Sequence, residues 1–116
     1  MKLGEIEDIY SVYFIDSNSG WAVGRWSDLK TTNGGANWIS QSTQNYLYSV
    51  HFINSDTGWA AGYYGKILKT TNGGTNWIEQ SSGTTRDLES IYFVDSNTGW
   101  VLGDKGKILK IKRGNN

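Results

Sequence analysis

The chain has 116 residues and balanced charges, with 11 Lys and Arg residues against 11 Asp and Glu residues. A chain of this length is expected to form one domain around one core. Because there is no net charge, no overall field attracts nucleic-acid phosphates or an anionic membrane surface. The sequence contains no cysteine, which excludes disulfides and thiolate chemistry and leaves the redox compartment open.

The amino-terminal residues 1–8 lack the apolar core of a secretion signal, and no later segment is apolar over the length of a membrane span. We therefore expect no membrane insertion. The residues leave two locations open. One is a cytoplasmic protein, and the other is a mature or excised piece whose targeting segment lies outside this sequence.

Three copies of one unit follow one another along the chain, each with a Gly-Trp pair and a second glycine three residues after the Trp. Trp21, Trp59 and Trp100 are separated by 38 and 41 residues. This period is close to the roughly 40 to 45 residues of a four-stranded propeller blade. The sequence predicts an all-β domain over residues 1–116, a partial β-propeller of about three blades. The blade-like copies cover about residues 9–45, 46–85 and 86–112.

Each copy is expected to begin with strand A, in which apolar residues alternate with others. The apolar positions are Tyr10, Val12, Phe14, Tyr48, Val50, Phe52, Ile91 and Phe93. A polar turn and the short Gly-Trp strand B complete a hairpin. The glycine before each Trp indicates either a positive φ or a close backbone approach.

A loop then leads to strand C, predicted at residues 66–69 and 107–110 of the second and third copies. In the first copy this B–C loop is expected at residues 25–28. Strand D follows at residues 38–39 and 77–78. Four short antiparallel strands per copy, without proline or helical periodicity, are typical of a propeller blade.

Between strands C and D, the first two copies contain the same turn sequence, Thr-x-Asn-x-Gly-x-x-Trp. Its positions are Thr31, Asn33, Gly35 and Trp38, and then Thr70, Asn72, Gly74 and Trp77. The asparagine can accept hydrogen bonds from backbone amides, and the glycines supply left-handed conformations, so the motif is interpreted as a structural turn. It resembles the Asp-box, or bacterial neuraminidase repeat, with asparagine in place of the usual aspartate.

Together with the Val-x-Phe and Gly-Trp-Ala-x-Gly elements, the two boxes make residues 10–110 similar to the repeat family of the photosystem II assembly and stability factor. The resemblance implies a seven-bladed propeller that acts as a non-catalytic assembly or binding platform. It also favours an extracytoplasmic location. This chain departs from the family pattern in having fewer than three complete blades.

We predict a module without a cofactor that binds another protein. The alternative is a carbohydrate-binding or sialidase-like glycoside hydrolase fragment, since sialidases share the Asp-box. Such enzymes need converging arginines, whereas Arg25, Arg86 and Arg113 occupy unrelated positions, so we expect no enzyme activity. A purely structural repeat segment is the third alternative.

The B–C loops differ between the copies, and blade geometry alone does not dictate their residues. The candidate binding residues are Arg25, Trp26, Tyr63, Tyr64, Asp104 and Lys105. Exposed aromatic side chains suit a protein interface or a surface on which a sugar stacks. Packing of the same rings against a neighbouring blade is an equal alternative.

No metal site is predicted. Segments that begin at Asp16 and Asp95 resemble the start of a calcium loop, but their glycines come one residue early and neither has glutamate at the twelfth position. The single histidine, His51, occupies a position that is tyrosine in the other copies, which favours a packing or surface role.

The third copy has strands A, B and C but neither an Asp-box nor strand D. We predict that residues 1–8, in particular residues 2–6, supply the missing outer strand. The strand joins either its own chain or a second copy, in which case a homo-oligomer of two chains provides six blades. The alternative is that this chain is a fragment of a longer propeller.

Overall fold

The computed structural model describes residues 8–41 and 45–112, which form three antiparallel sheets. Blade 1 consists of β1 (Ile9–Phe14), β2 (Gly20–Gly24), β3 (Ser27–Thr31) and β4 (Ile39–Ser40). Blade 2 consists of β5 (Leu47–Phe52), β6 (Gly58–Gly62), β7 (Ile67–Thr70) and β8 (Ile78–Gln80). Blade 3 consists of β9 (Leu88–Phe93), β10 (Thr98–Gly103) and β11 (Ile108–Lys112).

The strands of each blade pair in chain order, and the first strands of successive blades lie side by side. The prediction of an all-β partial propeller is therefore confirmed. Blade 3 has three strands within the part of the chain that the structure describes. The predicted closing strand at residues 2–6 lies outside that part. No helix in residues 8–41 and 45–112 has the length and apolar character needed to cross a membrane.

An irregularity at the start of each inner strand changes the expected alternation. Ile9 pairs with Gly24 and Ser11 pairs with Val23, so a bulge falls at Tyr10. The equivalent shift in β5 puts Leu47, rather than Tyr48, into the core beside Val50 and Phe52. The expectation that Tyr10 and Tyr48 belong to the apolar face of strand A is therefore wrong. Because of the bulge, both tyrosine side chains lie at the rim of the blades.

The core consists of two clusters, one at each junction between blades. Trp21 of blade 1 stacks on Phe52 of blade 2, with ring centroids 3.5 Å apart and planes 8° apart. Trp59 of blade 2 stacks in the same way on Phe93 of blade 3, at 3.7 Å and 2°. The period of about forty residues thus repeats an inter-blade contact as well as a strand pattern.

The glycine before each Trp makes this contact possible. Phe52 pairs with Gly58 across β5 and β6, and its ring lies flat over the glycine. A Cβ atom at Gly58 would come within 2.5 Å of that ring, so any side chain there would displace it. The close approach of a phenylalanine ring to the glycine, rather than a positive φ, explains these glycines.

The two Asp-boxes form equivalent turns. In blade 2, the Thr70 hydroxyl donates to Asn72 Oδ1 at 2.9 Å and accepts from the Gly74 amide at 2.9 Å. Asn72 Oδ1 also accepts from the Asn76 amide at 2.9 Å. The box contributes to the junction as well, because the Trp21 indole donates to the Gly73 carbonyl at 2.8 Å. The boxes therefore act as structural turns.

Candidate functional site

The turns between the second and third strands of the blades have a shared backbone peculiarity. Trp26, Tyr64 and Lys105 adopt φ values of 56°, 60° and 59°. This left-handed conformation costs a residue with a Cβ atom roughly 1 to 2 kcal/mol. Burial does not compensate for it, since Trp26 is 56% exposed and Tyr64 is 66% exposed. The same conformation at Lys105 shows that it belongs to the turn of each blade, whereas the exposure of the Trp26 and Tyr64 rings makes these two residues candidates for binding.

The turn of blade 1 is shorter than expected. Ser27 and Asp28 are buried residues of β3, so the loop predicted at residues 25–28 is wrong in its second half. Only Arg25 and Trp26 lie between the strands. Trp26 lies at the joint between blades 1 and 2, where its amide donates to the Asn45 carbonyl at 3.0 Å.

Six rings gather at this joint, and together they form what we call the aromatic surface. Its members are Tyr10, Trp26, Tyr46, Tyr48, Tyr63 and Tyr64. Tyr46 lies at the centre, with the ring of Trp26 at 5.6 Å and the ring of Tyr63 at 5.4 Å. The Arg25 guanidinium lies 5.6 Å from the same ring. The rings thus pack on one another across the joint while Trp26, Tyr63 and Tyr64 remain exposed.

A cleft of about 340 Å³ opens between these rings. It is lined by Trp26, Asn45, Tyr46, Tyr63, Tyr64, Lys66 and Glu79. A second, more open cleft of about 590 Å³ is lined by residues 79–85 together with Tyr64 and Gly65. The two clefts share Tyr64 and Glu79, so they lie next to each other.

Asp87 fixes one side of the aromatic surface. Its carboxylate accepts a hydrogen bond from the Tyr64 amide at 2.9 Å, which holds the left-handed turn. It also accepts from the Tyr48 hydroxyl at 3.5 Å. Burial, together with the charge of Asp87, raises the pKa of Tyr48 to about 12. Tyr48 therefore stays protonated, and able to donate to Asp87, into strongly alkaline solution.

The charges around the clefts balance one another. Lys66 and Glu79 form an ion pair at 3.6 Å on the cleft wall. A hydrogen bond with Tyr10, followed by one with Arg25, lowers the pKa of Tyr46. The surface thus offers ring faces, hydroxyl groups and one paired acid and base. Such a surface suits a ligand that is itself partly apolar and partly polar.

Of the six residues predicted to bind, Arg25, Trp26, Tyr63 and Tyr64 come together at this surface. The other two, Asp104 and Lys105, lie in the corresponding turn of blade 3. There the Asp104 carboxylate pairs with Arg86 at 3.4 Å. Their part in binding stays a prediction.

Sequence reasoning missed Tyr10, Tyr46 and Tyr48 as members of the surface. Tyr46 is matched by Asp8 and Asp87 in the other copies, so the repeat gives no aromatic signal at this position. The bulge turns Tyr10 and Tyr48 out of the apolar face. One signal was present. The third copy has Glu89, which is exposed, at the position of Tyr10 and Tyr48. A charged residue is rarely buried without a partner, so a glutamate here argues against a position that faces the core.

The residues considered for metal binding and catalysis have other roles in the structure. Asp16 accepts hydrogen bonds from the amides of Asn18 and Ser19, as expected for an ordinary turn. His51 is buried, and its Nδ1 accepts from the Phe93 amide at 3.2 Å. Within residues 8–41 and 45–112, no three or more His, Cys, Asp or Glu side chains are grouped to hold a metal ion.

Comparison with known families agrees with this architecture. A family model for the Photosynthesis system II assembly factor YCF48 matches residues 1–80 and 39–112. The chain belongs to this YCF48 family. Membership confirms the resemblance inferred from the Asp-boxes and the Gly-Trp elements. A search of curated proteins gives no match.

Solved structures of YCF48 proteins are similar to the chain over most of its length. A structure of YCF48 bound to D1 peptide is 26% identical, with a TM-score of 0.78, and covers 93% of this chain. YCF48 from Cyanidioschyzon merolae is 22% identical, with a TM-score of 0.74 and the same coverage. The chain spans 38% of the length of each of these structures.

An enzyme shares the architecture. An ancestral GH74 enzyme is 20% identical to this chain, with a TM-score of 0.70, and the match covers 91% of this chain and 17% of the enzyme. At this identity the similarity concerns the fold alone. Function therefore has to be argued from the surface itself.

Proposed function

We propose that this YCF48-family chain is a non-catalytic propeller module that binds an extended segment of a protein partner across the aromatic surface, in a role like that of an assembly or stability factor. The observation that carries the proposal is the pair of exposed rings, Trp26 and Tyr64, on left-handed backbone. Packing at the joint leaves Trp26 56% exposed and Tyr64 66% exposed. A bound ligand would bury these exposed ring surfaces.

The form of the surface supports a peptide ligand. The two clefts are neighbours that share Tyr64 and Glu79, so an extended chain that lies across these residues would contact both. Tyrosine and tryptophan provide large contact areas with few rotatable bonds, together with a polar tip. The relative bound to D1 peptide is a further reason to choose a peptide as the ligand class.

The proposal is tested by measuring the binding of D1 peptide by isothermal titration calorimetry. We expect the double variant Tyr63→Ser and Tyr64→Ser to bind at least tenfold more weakly, which corresponds to about 1.4 kcal/mol. The matched control is Tyr92→Ser, because Tyr92 is similarly exposed at 58% and lies outside the aromatic surface. Circular dichroism verifies that each variant is folded.

Two results would refute the proposal. Equal binding by the wild type and the double variant would remove the aromatic surface as the site. Selective binding to a glycan array, with no binding to D1 peptide, would instead favour the carbohydrate alternative, since sugars also stack on exposed rings.

A further inference from the structure

The two ends of the three-blade arc expose different faces, and each face is built from the repeat positions that are buried at the internal junctions. The carboxyl-terminal face belongs to blade 3 and contains Trp100, Leu102 and Ile108, which are 38%, 40% and 66% exposed. The amino-terminal face belongs to blade 1. It contains Ile9, Val12 and Phe14, which are 37%, 57% and 39% exposed.

The internal junctions show which contacts each kind of face makes with a neighbouring blade. Trp21 and Trp59 each stack on the phenylalanine of the following blade, and both indoles are at most 2% exposed. Trp100 is the third member of this series and faces away from blade 3. Phe14 is the phenylalanine at the equivalent position of blade 1, and its ring lies over Gly20 as the ring of Phe52 lies over Gly58.

Hydrogen bonds at the junctions give a second, independent match. The Val50 amide donates to Ser11 Oγ of the preceding blade at 3.3 Å, and the Ile91 amide donates to Ser49 Oγ at 3.1 Å. The next serine in this series is Ser90, at the carboxyl-terminal end. The corresponding amide at the amino-terminal end is that of Val12.

The first Asp-box completes the complementarity. At the internal junction, the Trp21 indole donates to the Gly73 carbonyl of the second box. The equivalent carbonyl of the first box is that of Gly34, at the amino-terminal end. The carboxyl-terminal end therefore provides the Trp100 ring and its indole N–H donor. The amino-terminal end provides the Phe14 ring and the Gly34 carbonyl, which can accept the hydrogen bond.

We propose that the carboxyl-terminal face of one copy of this chain packs against the amino-terminal face of a second copy, and that the two copies associate head to tail. Trp100 stacks on Phe14 of the second copy and donates to its Gly34 carbonyl. The occupant is a second copy because blade 1 of this chain has all the groups that the buried junctions use. Two copies joined at both ends contain six blades, within the range of about four to eight in closed propellers.

The test is the mass of the chain in solution, by sedimentation and by light scattering between about 1 and 100 µM. A dimer has twice the monomer mass of 12.9 kDa. We expect Trp100→Ala and Phe14→Ala each to weaken association at least tenfold. Trp26→Ala is the matched control, since this exposed tryptophan lies at the aromatic surface and not at an end. Should Phe14→Ala fail to fold, Val12→Ser replaces it, because Val12 lies on the same amino-terminal face and is 57% exposed.

Mixing the two variants distinguishes head-to-tail packing from other dimers. The Phe14→Ala copy retains Trp100, and the Trp100→Ala copy retains Phe14, so a mixture regains one complete contact and associates more strongly than either variant alone. A wild-type chain that stays monomeric at 100 µM would overturn the proposal. So would a dimer that is unaffected by both end variants, or a mixture without any gain. None of these outcomes bears on peptide binding, which is measured separately at the aromatic surface.

Discussion

Replacing Trp21 by alanine is the most direct test of how the blades hold together. Trp21 is fully buried and stacks on Phe52 at 3.5 Å. Truncating a buried tryptophan to alanine costs about 3 to 5 kcal/mol. Loss of the 2.8 Å hydrogen bond to the Gly73 carbonyl adds about 1 kcal/mol. The sum is a large part of the roughly 5 to 15 kcal/mol that stabilises a typical domain.

The free energy of unfolding is measured by urea denaturation, followed by far-ultraviolet circular dichroism. Trp21→Phe keeps an aromatic ring in the stack and removes the indole donor, so we expect it to cost about 1 to 2 kcal/mol, less than Trp21→Ala. The control Trp26→Ala removes an exposed indole and is expected to change stability by only about 0.5 kcal/mol.

The reasoning would be refuted if Trp21→Ala cost less than about 1 kcal/mol, or no more than Trp26→Ala, because stacking between blades would then not be a main source of stability. If Trp21→Ala is too unstable to purify, Trp21→Phe provides the measurement. A neutral effect of that variant would contradict the role of the hydrogen bond.

Three further predictions concern single side chains. Burial lowers the pKa of His51 below its ordinary value of 6.5, so the unfolded state binds more protons and the free energy of unfolding should fall as pH decreases below 6.5. His51→Tyr should remove this part of the pH dependence in urea titrations, and an unchanged slope would disprove it. Thr70→Val removes a buried hydroxyl that accepts from the Gly74 amide, and should cost about 1 to 3 kcal/mol in thermal or urea unfolding; a neutral effect would mean that this hydroxyl does not hold the turn. Asp87→Asn should lower the pKa of Tyr48 from about 12, because a nearby negative charge is lost. In a pH titration followed by tyrosinate absorbance, Tyr48 should therefore ionise at a lower pH; an unchanged titration would show that the Asp87 charge does not raise this pKa.

The sequence alone was sufficient for the repeat and for the parts of the fold that depend on local chemistry. The spacing of Trp21, Trp59 and Trp100 indicated blades, and the two Thr-x-Asn-x-Gly-x-x-Trp segments indicated turns. Glycine and asparagine restrict the backbone at short range, so their meaning does not depend on distant residues. All six candidate binding residues could likewise be located in one kind of turn, and four of them come together at the aromatic surface.

Only the tertiary structure decided which residues meet. The bulge at Tyr10 and its equivalent at Tyr48 reverses their direction, and a shift of one residue in an extended strand changes the face on which a side chain lies. Tyr46 joins the aromatic surface because two blades pack side by side, which no local pattern encodes. Likewise, the exposure of Trp100 and the burial of Trp21 and Trp59 depend on whether a blade follows, since the three residues occupy the same position in their own repeats.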